Sequence, residues 1–175
     1  MNRKQLDIVC FHEAGHAVMA FLCGAMVESV TVSPEPFVQY RYSSKFPPQI
    51  RALISLAGMA ADYIHWQNDT EKQSDENITG DKSDQRRALD TLQEINHSEY
   101  IGQYIAFSSR ILNSFPYIGY LKEIAQLLIL KSELSSEEIV HYFNNIPKYD
   151  HSELVESIER IILMEKKFGH LLPSN

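Results

Sequence analysis

Residues 8–23 of the chain read IVCFHEAGHAVMAFLC, and this stretch predicts a helix in the middle of a domain. Besides its cysteines, its ionisable groups are His12, Glu13 and His16, and its other residues are apolar or glycine. A helix that is apolar on every side belongs in a protein core. We expect the helix to cover residues 6–23, because a glycine follows at the position where helices commonly end.

The five residues His12-Glu13-Ala14-Gly15-His16 have the H-E-x-x-H spacing of a zinc site on a helix. Residues four apart share one helix face, with Cβ atoms about 6 Å apart, so His12 and His16 could bind one ion. Glu13 would lie beside the metal, where it could take a proton from a zinc-bound water and pass it to a leaving amine. Without a metal, this helix would bury two imidazoles and a carboxylate without partners, which is costly. The motif therefore predicts a Zn2+ site.

A third protein ligand has to come from elsewhere in the chain, because a catalytic zinc usually has three protein ligands and a water. The other histidines stand singly at helix ends or in polar stretches, and we expect them to be surface or capping residues: His65, His97, His141, His151 and His170. Carboxylates in the middle of the chain are the remaining candidates, namely Asp62, Asp75, Glu76, Asp81, Asp84 and Asp90. The residues alone leave these alternatives open.

Length and composition indicate one acidic globular domain over residues 1–175. The chain has 175 residues, of which 44% are apolar, and its 16 basic and 23 acidic residues give a net charge of −7. A chain of this size can bury about 70% of its unfolded surface. The acidic balance argues against binding to the phosphate backbone of a nucleic acid.

The same composition favours a cytoplasmic protein. No stretch approaches the ~18 consecutive apolar residues of a membrane-spanning helix. Two basic residues before the apolar run imitate a secretory signal, but Asp7 and the histidine motif interrupt that run. Cys10 and Cys23, on one helix and too far apart to be bridged, are expected to be buried thiols in a reducing compartment.

The rest of the chain predicts a mostly helical fold with a small β element after the first helix. Alternating residues at 27–32 and 37–42, separated by a proline-rich turn, predict a hairpin or two strands of a small sheet. A second helix is expected up to residue 66, followed by a polar surface loop at 67–80. Further helices are expected over residues 82–96, 99–113, 117–131, 137–144 and 152–168, and a capping box at Ser135 begins the fourth of these.

A set of segments in fixed order resembles the peptidase domain of FtsH-type ATP-dependent zinc metalloproteases. The histidine motif with its next residue, HEAGHA, is similar to the family's H-E-A-G-H-A. SVTVSP at 29–34 resembles the family's lysine-valine-(threonine or serine)-isoleucine-isoleucine-proline strand, and AGMAAD at 57–62 resembles its G-G-R-A-A-E segment. TGDKSD at 79–84 resembles the T-G-A-x-N-D helix start, and residues 127–139 resemble the L-L-x-x-x-x-L-x-G-E-E-I ending. The resemblance spans about residues 6–145, and the first motif is the specific one.

The resemblance implies a mostly helical zinc-peptidase domain with a defined site. His12, His16 and Asp84 would bind the metal, and Glu13 would be the catalytic residue. Asp62, which stands where the family has glutamate, is the alternative third ligand, or it orients a ligand histidine instead. An edge strand of the fold would hold an extended substrate peptide by main-chain pairing.

Several departures from the family pattern bear on the expected function. Met59 and Tyr63 replace an arginine and a glutamate, Ser83 replaces an asparagine, and the sequence has no glycine-rich phosphate loop of an ATPase. We therefore expect a zinc endopeptidase that hydrolyses unfolded proteins or peptides, alone or with a separate ATPase partner. The alternatives are a catalytically inactive metal-binding interaction module that retains the fold, and a metal-free helical domain. The oligomeric state stays open, a homo-oligomer included.

Overall fold

A computed structural model describes residues 3–68, 82–144 and 146–169 of the chain. The described residues form seven α-helices and a three-stranded antiparallel sheet. In chain order the elements are α1 (Arg3–Leu22), β1 (Met26–Thr31), β2 (Phe37–Arg41), α2 (Pro48–Asn68), α3 (Lys82–Gln93), α4 (Ile101–Leu112), α5 (Tyr117–Lys131), β3 (Glu133–Ser135), α6 (Ser136–Phe143) and α7 (His151–Phe168). The predicted fold class, mostly helical with a small β element after the first helix, is confirmed.

The main part of helix α1 lies in the core, as the apolar sequence of residues 8–23 predicts. Ala14, Ala17 and Met19 are fully buried, and α1 packs against both α2 and α5. The contact with α2 is close at Gly15, where a Cβ atom would lie 2.5 Å from the carbonyl oxygen of Ala57. The two helix backbones can approach this closely only because position 15 carries no side chain.

The end of α1 turns the chain into the sheet. Gly24 has a φ of +79°, a left-handed conformation that glycine adopts without the penalty of a Cβ atom. Its backbone N–H donates to the carbonyl of Phe21 at 2.8 Å, and the N–H of Ala25 donates to that of Ala20 at 2.9 Å. Carbonyls left open at the helix end are thereby satisfied, as is usual where a glycine ends a helix.

The sheet has the strand order β2-β1-β3. Val30 of β1 pairs with Val38 of β2 on one side and with Leu134 of β3 on the other. Strand β1, which contains residues 29–31 of the segment SVTVSP, is therefore central, and among the described residues β2 pairs with β1 alone. Strand β3 was not predicted, because three residues are too few to show an alternating pattern.

The helices follow the predicted pattern with shifted ends. Helix α2 continues to Asn68, so the polar loop predicted at 67–80 begins later than expected, and the rest of that loop lies outside the described residues. The helix predicted over 82–96 ends at Gln93, and a 3-10 turn over Ser98–Tyr100 precedes α4. No helix in the described parts of the chain combines the length and apolar character needed to cross a membrane.

Two local predictions concern caps and cysteines. The side chain of Ser135 accepts a hydrogen bond from the backbone N–H of Glu138, whose carboxylate accepts one from the backbone N–H of Ser135. The predicted capping box at the start of α6 is therefore confirmed. Cys10 and Cys23 are buried, free thiols, and burial raises the pKa of each to about 12.

Candidate metal centre

Three side-chain atoms from α1 and α3 face one another at the base of a cleft. Nε2 of His12 and Nε2 of His16 lie 3.2 Å apart. Oδ2 of Asp84, in the first turn of α3, lies 3.0 Å from Nε2 of His16 and 3.5 Å from that of His12. This group of two imidazoles and one carboxylate could hold a metal ion.

The spacing of the three atoms suits a small tetrahedral ion. With metal–ligand bonds of about 2.0–2.1 Å, neighbouring ligand atoms of a tetrahedral site lie about 3.3–3.4 Å apart. The three observed separations, 3.0, 3.2 and 3.5 Å, fall around that value. A three-residue set also leaves the fourth tetrahedral position open, as in catalytic zinc sites.

The hydrogen-bond partner of Nδ1 in each imidazole shows that Nδ1 carries the proton. Nδ1 of His16 lies 2.8 Å from the carbonyl oxygen of Ile54, which can only accept a hydrogen bond, so Nδ1 is the donor. Nδ1 of His12 lies 2.8 Å from Oδ2 of Asp62 and donates to it in the same way. In the neutral imidazoles both Nε2 atoms then carry lone pairs that face the Asp84 carboxylate. A cation is stabilised among these atoms: either a proton, which makes an Nε2 atom a hydrogen-bond donor to Asp84, or a metal ion.

Hydrogen bonds within this group shift the pKa values of His12 and Asp84 in opposite directions. Burial lowers the pKa of the His12 imidazole, but the hydrogen bonds to Asp62 and Asp84 outweigh it and raise that pKa to about 10. Burial raises the pKa of Asp84, but its hydrogen bonds with His12 and His16 outweigh it and hold that pKa below its usual range. Asp84 is therefore an ionised carboxylate, which is the form that binds a metal.

Asp62, the alternative third ligand, lies on the far side of His12 from the ligand atoms. It contacts Nδ1 of His12, whereas Asp84 contacts Nε2, so its position is that of a residue that orients a ligand histidine. Asp62 is 7% exposed, and its Oδ1 has no hydrogen-bond partner among the residues that the structure describes. This buried carboxylate adds negative charge behind the imidazole.

Gly58 of α2 closes the site from behind. A Cβ atom at this position would lie less than 3.0 Å from Nε2 of both His12 and His16. Real Cβ atoms essentially never approach other atoms so closely, so any side chain here would displace the imidazoles or the helix. The small residues of AGMAAD at 57–62 are thus what allows α2 to pack against the histidine face of α1.

Glu13 lies in the same cleft and is only 7% exposed. Burial raises its pKa, and the nearby imidazoles of His16 and His12 oppose that rise. The cleft has a volume of about 420 Å³ and contains Asp84 together with the histidines. Its apolar wall is formed by Ile8, Val9, Pro36, Phe37 and Val38.

Of the remaining candidate ligands, those that the structure describes do not join the group. Asp75, Glu76 and Asp81 lie outside the described residues, as does His170. Asp90 is exposed on α3 and does not line the cleft, and His141 is exposed on α6.

Three histidines have structural contacts instead. His151 contacts the carbonyl oxygen of Cys23 at 2.7 Å, and His65 packs on the ring of Phe11 with centroids 4.5 Å apart. The expectation that His97 is a surface or capping residue is wrong. It is 8% exposed, and its Nδ1 lies 3.0 Å from the hydroxyl of the fully buried Tyr104 on α4, because its side chain is directed into the core just before the 3-10 turn.

Two further residues of the cleft were not singled out from the sequence. Tyr40 lines the cleft from β2, and its hydroxyl is hydrogen-bonded to Ser55 of α2. Arg87, one helical turn after Asp84, donates to Oδ1 of that carboxylate at 3.4 Å. The i,i+3 spacing on α3 and the alternation along β2 are the signals that could have indicated them.

The chain matches no protein-family model, and no curated protein matches it. Its likeness to FtsH-type peptidases stays a prediction from the motifs, and function has to be inferred from the geometry of the site.

Proposed function

We propose that the protein is a zinc-dependent endopeptidase of the FtsH peptidase type that hydrolyses peptide bonds in unfolded proteins or peptides. One observation carries this proposal. His12, His16 and Asp84 present three ligand atoms to a single point, and Glu13 lies in the same cleft. A metal-binding group beside a buried carboxylate, open to a cleft, is the arrangement that metal-assisted hydrolysis needs.

The chemistry of the ligands favours zinc over the alkaline-earth ions. Two neutral imidazoles and one carboxylate are common zinc ligands, whereas calcium and magnesium prefer oxygen atoms throughout. Asp62 and the Ile54 carbonyl hold the outer nitrogens of the imidazoles, which is the support that metal-bound histidines usually have.

The reaction assigns separate tasks to the metal and to the protein. When bound, zinc supplies a Lewis acid that polarises the scissile carbonyl and makes water easier to deprotonate. Glu13 accepts a proton from the attacking water and passes it to the nitrogen of the leaving amine. The oxygen of water forms the new bond to the carbonyl carbon, and the carbon–nitrogen bond of the peptide breaks.

The open edge of β2 provides a place for an extended substrate. Among the described residues β2 pairs only with β1, and Phe37, Val38 and Tyr40 of β2 line the cleft. An extended peptide can add to such an edge by main-chain hydrogen bonds, whereas a folded protein does not offer its backbone for pairing. Unfolded chains are therefore the proposed substrates, and an ATPase that unfolds proteins would be a suitable partner.

The first test is a Glu13→Gln variant with an unstructured substrate such as casein. We expect it to retain zinc and to lose cleavage by about 100-fold or more, because a positioned base contributes about 10²–10⁴ to such rates. Glu123→Gln, an exposed carboxylate on α5, is the control and should cleave like the wild type. Labelled casein measures cleavage, and metal analysis measures zinc.

Other outcomes would separate the alternative functions. Zinc bound at one equivalent without any metal-dependent cleavage would indicate an inactive metal-binding interaction module. Less than about 0.1 equivalent of zinc, in protein purified without a chelator or a polyhistidine tag, would indicate a metal-free helical domain. An active Glu13→Gln variant would contradict the assigned base.

A further inference from the structure

We propose that the Tyr40 hydroxyl donates a hydrogen bond to the carbonyl oxygen of the scissile peptide as negative charge develops on it. The inference rests on the proposed peptidase function and adds a second catalytic residue beside Glu13. Attack by water turns the trigonal carbonyl carbon tetrahedral and places charge on its oxygen. That oxygen regains its double bond when the carbon–nitrogen bond breaks, so Tyr40 keeps its own proton throughout.

The cleft creates a need for such a donor. Glu13 is neutral once it holds the proton of the attacking water, but the carboxylates of Asp62 and Asp84 would repel a developing negative charge on the substrate. A donor that is already in place before the reaction stabilises this charge without reorganisation. Removing one such donor typically costs about 10²–10³ in kcat.

Few side chains of the cleft can donate a hydrogen bond to the substrate carbonyl oxygen. The Nδ1 protons of both histidines are already used, and the wall residues from α1 and the start of β2 are apolar. Among the described residues that line the cleft, this leaves Tyr40, Ser83 and Arg87 as side-chain donors. Ser83 is exposed, and the side chain of Arg87 is 61% exposed and directed to Asp84.

Tyr40 differs from these because the fold holds it in place. Along β2 the residues Phe37, Gln39 and Arg41 are exposed, whereas Val38 and Tyr40 are partly buried on the opposite face. Strand β2 packs on α1, the helix that carries the histidines and Glu13. Tyr40 thus lies on the strand whose open edge is proposed to bind substrate, and it faces the cleft from there.

The Tyr40 hydroxyl has a hydrogen-bond partner in Ser55 of α2. A phenol hydroxyl can accept one hydrogen bond and donate another, so a contact in which Ser55 donates leaves the Tyr40 proton for the substrate oxygen. Burial raises the pKa of Tyr40, and Asp84 contributes to that rise, so the hydroxyl remains protonated.

A Tyr40→Phe variant tests the inference, because it removes the hydroxyl and keeps the ring. We expect kcat for an unstructured peptide to fall about 100-fold, with KM within about twofold of the wild-type value and zinc content unchanged. A phosphinic peptide, whose tetrahedral anion mimics the charged oxygen, should bind more weakly by a similar factor. Tyr42→Phe is the control, because Tyr42 stacks on Tyr40 but is exposed and does not line the cleft.

A second variant, Ser55→Ala, keeps the Tyr40 hydroxyl and removes its hydrogen-bond partner. We expect a smaller loss of kcat, again at unchanged KM and zinc content. Wild-type kcat and phosphinic affinity in Tyr40→Phe would overturn the inference. So would a loss explained by weaker zinc binding, or a rise in KM at constant kcat. A wild-type protein that cleaves no peptide would instead refute the peptidase function itself, and Tyr40's role with it.

Discussion

Gly58 illustrates how one missing side chain makes room for the site. It belongs to α2, but a methyl group at its Cα would overlap with the imidazole nitrogens of His12 and His16. The four-residue spacing places both histidines on one face of α1. Their Nε2 atoms can approach each other only because the neighbouring helix α2 has no side chain at this position. The convergence of the two imidazoles therefore depends on Gly58 as well as on the spacing of the histidines.

The variant Gly58→Ala is expected to weaken zinc binding about 10- to 100-fold, the usual range for changes just behind metal ligands. The added methyl must push either imidazole away from its position, so two ligand atoms are affected together. Competition with a chromophoric chelator measures the affinity. Gly102→Ala is the control, since a Cβ atom there meets nothing within 4 Å. Equal zinc affinities of the two variants would refute this role of Gly58.

The crossing of α1 over α2 depends on Gly15, the fourth residue of the histidine motif. A Cβ atom here would lie 2.5 Å from the Ala57 carbonyl oxygen and 2.7 Å from Cβ of Ala61. Both neighbours are backbone or the first side-chain atom, so neither can rotate away. The helices would have to separate, and the histidines proposed as metal ligands lie on one of them.

The variant Gly15→Ala should therefore lower the free energy of unfolding by about 1–3 kcal/mol, the typical cost of overpacking a core. This loss opposes the gain in helix propensity that alanine gives elsewhere. Gly119→Ala, on α5 with open space around the added methyl, should be neutral or stabilising by up to about 1 kcal/mol. Urea unfolding of both variants measures the difference. A stabilised Gly15→Ala variant would contradict the close crossing.

Helix α6 carries a pH-dependent contribution at its capping box. The Glu138 carboxylate accepts hydrogen bonds from the Lys131 ammonium and from the backbone N–H of Ser135, which lower the pKa of Glu138 to about 2. A carboxyl whose pKa falls on folding stabilises the protein above its unfolded pKa of about 4.3. That contribution is lost as the pH falls from there through about 2.

The variant Glu138→Gln is therefore expected to be less stable than the wild type at pH 7. The difference between the two should be constant above about pH 5, and it should shrink as the pH falls toward about 2 because the carboxyl becomes protonated. Urea unfolding at a series of pH values measures it. Glu137→Gln, an exposed neighbour in the same turn that does not form the capping box, is the control. A difference independent of pH would refute the role of the charge.

Across the whole molecule, a bound metal would tie α3 to α1. His12 and His16 come from α1 and Asp84 from α3, and both helices pack against α2. A ligand that binds only the folded arrangement stabilises it in proportion to its affinity. At a free concentration of 1,000 times Kd, this stabilisation is about 4 kcal/mol.

Zinc should therefore raise the unfolding temperature of the wild type and have little effect on Asp84→Asn, which lacks the ionised ligand. Asp90→Asn removes an exposed carboxylate from the same helix, and we expect it to respond to zinc like the wild type. Thermal unfolding after chelation and again after adding zinc measures both responses. Equal stabilisation of Asp84→Asn and the wild type would exclude Asp84 as a ligand.

Contacts within a few residues were predictable from the sequence, because chain geometry alone sets them. The four-residue spacing of His12 and His16 places them on one helix face, Gly24 ends α1, and Ser135 with Glu138 begins α6. The apolar character of residues 8–23 on every side of the helix predicted the burial of this part of α1. The fold class follows from the same short-range patterns.

Contacts between distant segments were decided by the tertiary structure. Several carboxylates were equal candidates by spacing, and only the packing of α3 and α2 on α1 places Asp84 at Nε2 of His12 and Asp62 at its Nδ1. The same holds for β3 beside β1, for the burial of His97 and for Tyr40 in the cleft. Local sequence determines which face a side chain takes on its own element. Which other element packs against that face depends on the packing of the whole core. The spacing of residues within one element does not determine this packing.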